Sequence, residues 1–333
     1  MPTVSSNPGL HRYDTHLCES CGIAFIDPQI EEAALKAHYN TAYRRSSYAV
    51  QLHDREIDVP ISIPLSGVSF KRFQTFYDLV TSYAKARPEI LPQSTDWIVD
   101  FGAYQGMFLY AARKAWNCQT IATDYNVEGI AFAKAALGID EAKPTVDIYS
   151  DSFAHKTKYA VLVHVFEHLR EPLRFLEHLK SNVLEPDGLV YLEIPNLLAS
   201  PLSDPTHFIM YSPNGLKKIM ARAGFATLAL EVHGKPATGL GVWENDRMNV
   251  SGLFQASREP AALPGGGGTT YEELRRSHRR IALASVTRYF GTTARSVGRL
   301  FYYLSFVVVL ENFSGALSRR LKDRLSRLIR RVG

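Results

Sequence analysis

Trp97-Ile-Val-Asp-Phe-Gly-Ala-Tyr-Gln-Gly106 is the stretch whose reading decides the fold. The apolar run from Trp97 to Asp100 has the length and β-branched content of a buried strand. Gly102 and Gly106 bracket a tight turn, and Met107–Trp116 continues at helical spacing. Glycine lets a backbone turn sharply and approach a ligand with no Cβ in the way. The helix that follows offers free N–H groups to polar ligand atoms. Strand, glycine turn and helix in this order are the context that a nucleotide-binding turn needs. Asp124 ends the next β-rich run, Thr120–Asp124, where a carboxylate can accept hydrogen bonds from two ribose hydroxyls. The Gly-x-Gly-x-x-Gly spacing of dinucleotide dehydrogenases is absent, which disfavours hydride transfer.

Outward from this turn, residues 95–257 alternate short β-rich runs with helical patterns, as a parallel α/β sheet requires. The pattern predicts a helix over 127–137, strands over 145–149 and 159–166, and a helix over 172–184 opened by Pro172. Pro186-Asp187-Gly188 predicts a turn before a strand over 189–194. A last helix, 214–223, is ended by Gly224, and 226–232 with 249–254 can pair as an antiparallel edge. Before this block lie a Cys/His cluster, a helical stretch over 31–43, an irregular segment with Pro60, Pro64 and Gly67, and a helix over 70–86. After it, Gly265–Gly268 reads as a flexible break. Three regions follow: 1–90, 91–257 and 258–333.

Four segments carry a resemblance to class I S-adenosylmethionine-dependent methyltransferases. Asp100–Gly106 resembles their first motif, an acidic residue followed by a glycine-rich turn, and Asp124 matches the acidic residue ending their second strand. HVFEHLREPLRFLEHLKSNVLEPDGLVYLEIPN (164–196) is similar to the strand-four to strand-five region of a bacterial subgroup acting on sugars and other small metabolites. THFIMYSPNGLKKIMARAGF (206–225) is similar to that subgroup's next segment. The chain departs from the pattern at Tyr104, where the middle glycine is usual, and at Ala160, where an Asp usually starts strand four.

The resemblance implies an α/β fold: a doubly wound, Rossmann-like sheet of seven strands with an antiparallel edge hairpin, extended by helical N- and C-terminal additions. It implies S-adenosylmethionine as cofactor, held by Asp100, Gly102, Ala103, Tyr104, Gly106, Asp124 and Tyr125, with Asp151 and Ser152 near the adenine and His164 nearby. A surface turn explains Asp151 and Ser152 equally well. In this fold the reacting end of the cofactor lies beyond strands four and five. Candidate catalytic residues there are His207, His168, Glu167 and Tyr211. A histidine titrating near pH 7 can accept a substrate proton; His168 can equally cap or order its loop.

Cys18-Glu-Ser-Cys21 has the spacing of half a zinc knuckle, which His16 and His11 could complete as a structural zinc site. A metal-free remnant is the competing reading. Three cysteines make no disulfide framework and no secretory leader opens the chain, so a cytoplasmic setting is expected. The net charge of +5 is uneven: 258–333 holds 15 Lys+Arg against 5 Asp+Glu, leaving the first 257 residues acidic. Leu300–Leu310 is apolar but shorter than the ~20 residues that span a bilayer. Ser318–Arg331 places Leu321, Leu325, Leu328 and Ile329 on one helical face and arginines on the other. That pattern suits a peripheral helix on an anionic membrane surface, through residues 297–333, or a helix packed on the body or a partner. Nucleic acid is a poorer match, since the basic residues lack interleaved aromatics.

The sequence therefore points to methyl transfer onto a small-molecule acceptor, foremost a sugar, glycan or lipid-linked precursor. An RNA methyltransferase using the tail for phosphate contact and a non-catalytic scaffold of the same fold are the alternatives.

Overall fold

A computed structural model describes residues 14–31, 35, 68–200, 202, 204, 206–234, 246–257, 265 and 268–289. His11, the expected helix over 31–43 apart from its two described positions, and the segments 300–310 and 318–331 lie outside them.

The main sheet is built from β3 (Trp97–Phe101), β4 (Gln119–Asp124), β5 (Glu141–Pro144), β6 (Thr157–Val163), β7 (Leu184–Pro195), β9 (Phe225–His233) and β10 (Asn249–Ala256). Its strand order is β5-β4-β3-β6-β7-β10-β9. The first five run parallel, and β10 is antiparallel to both β7 and β9. This is the expected seven-stranded, doubly wound sheet with its edge hairpin. The chain leaves β3 toward β4 on one side and later returns to β6 on the other, so the order reverses beside β3. Ligands in open α/β sheets bind at such a switch point, beyond the carboxyl ends of the strands.

Helices cover both faces. α1 (Val68–Ala84), α2 (Met107–Trp116) and α3 (Val127–Leu137) pack on one, α4 (Pro172–His178) and α5 (Pro213–Arg222) on the other. Phe76 of α1 is the centre of the first face, fully buried with its ring 5.3 Å from Phe108, 5.5 Å from Tyr159 and 4.8 Å from Tyr191. Tyr159 satisfies its hydroxyl by donating to the Ile90 carbonyl at 2.7 Å, so the aromatic cluster buries no orphan donor there.

Several boundaries differ from the sequence reading. Thr145–Tyr149 is not a strand; β5 ends at Pro144, and Asp147 organises a turn, its carboxylate accepting the Tyr149 N–H and the Ser150 hydroxyl and its carbonyl accepting the Ser150 and Asp151 N–H groups. The local side-chain bonding of an aspartate outcompetes β-branched propensity here. β6 stops at Val163 rather than Phe166, because His164 takes a left-handed backbone (φ 55) and Phe166–His168 forms a 3-10 turn. α4 ends at His178, and Leu179–Val183 widens into a π-turn. Pro186-Asp187-Gly188 lies within β7 at an irregularity, where the register against β6 jumps from Leu184 to Leu189; β10 also pairs only from Leu189 onward, so the missing proline N–H leaves no ladder bond unmade.

A second sheet was not foreseen. β1 (Asp14–Cys18) and β2 (Ile23–Asp27) form a hairpin, and β8 (Ile209–Tyr211) joins its β2 edge. The last described helix, α6 (Tyr271–Tyr289), sets Leu274 and His278 against Leu197, with His278 Nε2–H donating to the Leu197 carbonyl (2.9 Å). No described helix is long and apolar enough to cross a membrane.

Truncating the central ring probes this packing directly. Phe76→Ala is expected to destabilise the protein by ~3–5 kcal/mol in urea titrations. A loss below ~1 kcal/mol would mean that α1 is not integral to the sheet's packing.

Candidate active site

The glycine turn is shaped by its backbone. Gly102 has φ +76, and a Cβ on it would lie 2.5 Å from Val165 Cγ2, so no larger residue fits without displacement. Tyr104, in the position where glycine is usual, also adopts a left-handed conformation (φ 48), which for a non-glycine residue costs ~1–2 kcal/mol. Its N–H donates to Asp124 Oδ2 at 2.8 Å, and Asp124 Oδ1 accepts the Asn126 N–H at 2.7 Å. That carboxylate clamps the turn against the end of β4. The Tyr104 ring lies against Gly129 of α3, where an added Cβ would come within 3.1 Å of it. Gly129 leaves room for the Tyr104 carbonyl oxygen, which an added Cβ would meet at 2.9 Å, as well as for the ring.

Asp100 is buried near the end of β3. Burial and the nearby Asp124 charge push its pKa well above the usual carboxylate range. Asp124 is also raised by burial, a shift its two N–H donors oppose. Ala103 is buried, while Tyr125 is exposed. Asp151 is buried with Oδ2 unpartnered, whereas Ser152 is exposed and its carbonyl receives the Lys143 ammonium.

Beyond β6 and β7 lies a chain of alternating charge. Arg72 Nε of α1 is 3.5 Å from Glu193 Oε1, and the same oxygen is 3.3 Å from His164 Nε2. His164 Nδ1 is 3.3 Å from Glu167 Oε1. Glu167 Oε1 is in turn 3.8 Å from His168 Nε2. The His207 ring meets His168 edge-on at 4.9 Å, and its Nε2 is 3.7 Å from Asp204 Oδ2. Glu193 is braced further by the Tyr191 hydroxyl (3.3 Å) and by Ser251 (3.5 Å), which also bonds His233 Nε2 at 2.7 Å.

Glu167 and Glu193 are both fully buried. Burial alone would raise their pKa values, but the imidazoles beside them prevail and hold Glu167 at about 2 and Glu193 below its ordinary value. His164 shows the mirror effect: burial would lower it, and the two carboxylates outweigh burial and raise it. His207 is lowered, chiefly by burial, which keeps its ring neutral at pH 7. Tyr211 stacks on Phe166 (5.2 Å) with its hydroxyl buried and unpartnered, and burial drives that phenol far above its usual range.

The structure thus brings Glu167, His168 and His207 together and places Tyr211 beside them. Sequence reading missed Glu193, Arg72 and Asp204. Glu193 had a readable signal, a lone acid inside the apolar run Leu189–Ile194. Arg72 had none.

At the hairpin, Cys21 Sγ reaches the Cys18 carbonyl (3.8 Å) and Cys18 Sγ lies 3.1 Å from Ser20 Oγ. Bonds from Cys21 and Ser20 bring the Cys18 thiol down to about 7. His16 stacks on Phe25 at 5.3 Å. Among the described residues, no group of three or more candidate metal ligands includes Cys18, Cys21 or His16.

Residues 73–230 match the sequence profile of a family described as a methyltransferase domain. No curated protein sequence matches the chain. Solved structures similar to it include a complex of a methyltransferase with the Trm112 activator from Haloferax volcanii (17% identity, TM-score 0.43, 56% of this chain and 94% of that one). A SAM-dependent methyltransferase from Aquifex aeolicus is 18% identical with TM-score 0.39 over 56% of this chain and 96% of its own. An S-adenosylmethionine-dependent methyltransferase from Mesorhizobium loti is 15% identical with TM-score 0.40 over 51% and 96%.

The raised pKa of His164 has a defined consequence for stability. Its ion pairs are fully present below the unfolded value of 6.5 and are lost as pH rises through the higher folded value. His164→Asn, which tolerates the left-handed backbone, is expected to flatten the fall of Tm between neutral and alkaline pH. Superimposable Tm profiles for the two proteins would refute the ion pairing.

Proposed function

We propose that the chain carries a class I S-adenosylmethionine-dependent methyltransferase domain and methylates a small polar acceptor: a sugar, a glycan or a lipid-linked precursor. The observation that carries this reading is the acid–imidazole cluster of Glu167, His168 and His207 at the carboxyl ends of the parallel strands, next to the glycine turn.

The residues at the turn fit the cofactor. Asp124 ends β4, and each of its oxygens uses only one lone pair on the backbone, which leaves acceptors for a ribose diol. The orphaned Asp151 Oδ2 suits the exocyclic amine of adenine. The Gly102–Gly106 turn gives the cofactor's chain access to the backbone, and Tyr104 is turned toward α3. Bound S-adenosylmethionine supplies a methyl group on a positively charged sulfur, open to in-line displacement.

The protein's own part is to orient the acceptor and ease the loss of its proton. Carboxylates and neutral imidazoles are hydrogen-bond acceptors, so the cluster recognises hydroxyl donors better than it does apolar surface. A polyol is the small-molecule class that presents several. The lipid-linked form of the acceptor is supported by the sequence of the tail, where an apolar run and a basic amphipathic pattern suit an anionic membrane surface. On this reading the enzyme works peripherally at the cytoplasmic face.

Two measurements check the proposal. In calorimetry, Asp124→Ala is expected to weaken S-adenosylmethionine binding by about tenfold or more, ~1.4 kcal/mol; equal affinity in both proteins would remove the cofactor assignment. In turnover assays on sugar and lipid-linked acceptors, His207→Ala is expected to lower kcat by ~10²–10⁴ with cofactor affinity retained. An unchanged kcat would place the acceptor elsewhere.

A further inference from the structure

We propose that Glu167, His168 and His207 form a binding site for a divalent transition-metal cation. The inference rests on the acceptor site assigned above and gives that site a specific chemistry. One ligand-capable atom from each of the three residues lies within 4.8 Å of the other two. Metal–ligand bonds of ~2.0–2.2 Å bring such atoms closer than this. The adjustment is one of side chains, since Glu167 and His168 are adjacent on the 3-10 turn after β6 and His207 precedes β8.

Three features make the group a metal site in kind. First, both Glu167 oxygens are buried with no hydrogen-bond partner among the described residues, the imidazoles approaching Oε1 only as ion-pair contacts. His164, 3.3 Å from Oε1, balances this charge, while Oε2 keeps its lone pairs for a cation. Second, His168 Nδ1 is 2.8 Å from the Thr206 carbonyl, which can only accept. Nδ1 therefore carries a proton, which makes Nε2, 3.8 Å from Glu167 Oε1, the ring's ligand atom. A ring N–H anchored on a backbone carbonyl is the arrangement that orients metal-bound histidines. Third, His207 has its Nδ1 buried and unpartnered, and its Nε2 faces Asp204. Asp204 is itself fixed by the Thr206 N–H (2.9 Å) and hydroxyl (2.6 Å), so it can act as the outer partner of that ring.

The donor set selects the ion. Two imidazoles and one carboxylate suit Zn²⁺, Co²⁺, Fe²⁺ or Mn²⁺ better than Ca²⁺ or Mg²⁺, which prefer all-oxygen shells. Three protein ligands leave a coordination position for a further oxygen. An acceptor hydroxyl placed there would be polarised by the cation. The site is distinct from the Cys18–Cys21 hairpin, which offers thiolates.

The test uses the full chain carrying Cys18→Ser and Cys21→Ser, stripped with chelator and titrated with Co²⁺ while visible absorption is followed. Saturation at one equivalent per chain is expected, with affinity at least tenfold weaker in Glu167→Gln and in His207→Ala. S-adenosylmethionine affinity, measured on the same samples, is expected to stay within threefold and shows that each variant is folded. No saturable Co²⁺ band with cofactor binding intact would overturn the metal site and leave the methyltransferase reading standing. Co²⁺ binding undiminished in both variants would overturn the metal site equally. Failure of the parent protein to bind S-adenosylmethionine would instead strike the underlying reading, whatever Co²⁺ does.

Discussion

Two carboxylates removed from water, Glu167 and Glu193, are kept ionised at the mouth of the sheet by one imidazole between them. His164 is 3.3 Å from each, and an isolated charge so buried would otherwise neutralise itself. The contact dictates backbone as well as charge. For its ring to reach both acids, His164 leaves the β6 ladder in a left-handed conformation, and its N–H returns to the Glu193 carbonyl at 2.8 Å. Strain at one residue thereby ends the strand and starts the turn that presents Glu167 and His168. Breaking one member of such a buried set costs more than any single contact suggests, because the remaining charge is left uncompensated.

The same turn reaches the glycine turn after β3. Val165 follows His164 and packs against Gly102, leaving no room for a side chain there. Gly102 is thus required by the neighbouring turn, independently of any ligand. Arg72 ties in the third element, extending the charge chain from α1 to Glu193. The glycine turn and the acid–imidazole turn are consequently one packed unit, and displacement of either is felt by the other.

The legibility of this protein in its sequence follows contact range. The β3 turn, Asp124 and the helices α2, α3 and α5 could be read within a residue or two because strand, glycine and cap signals there are local. The expected strand at 145–149 failed because β-branched content was weighed and the Asp147 side chain was not. Tyr104 looked like a disturbance of the turn, and only Gly129, 25 positions away, shows how its ring is accommodated. Glu167, His168 and His207 were each visible as candidates, yet their convergence depends on β8 folding back beside the 3-10 turn. Arg72 belongs to a helix whose pattern speaks only of packing, so its charge contact was invisible to periodicity.

The N-terminal hairpin gains a role from this geometry that its cysteines alone do not suggest. β2 pairs with β8, Ile26 N–H donates to the Phe208 carbonyl at 3.1 Å, and Ser212 N–H donates to the Gly22 carbonyl at 3.0 Å. Arg170 joins the two elements from the other side, stacked on the Phe208 ring at 4.5 Å while donating to Gln29 at 2.9 Å and to the Ile30 carbonyl. Phe208 and β8 directly follow His207, so the hairpin braces the segment that carries it. A loop bearing one of three convergent groups would otherwise be free to drift by the ångström that separates productive from idle geometry. The hairpin therefore acts as a buttress for the segment that carries His207, and it can serve in that role whether or not Cys18 and Cys21 hold a metal.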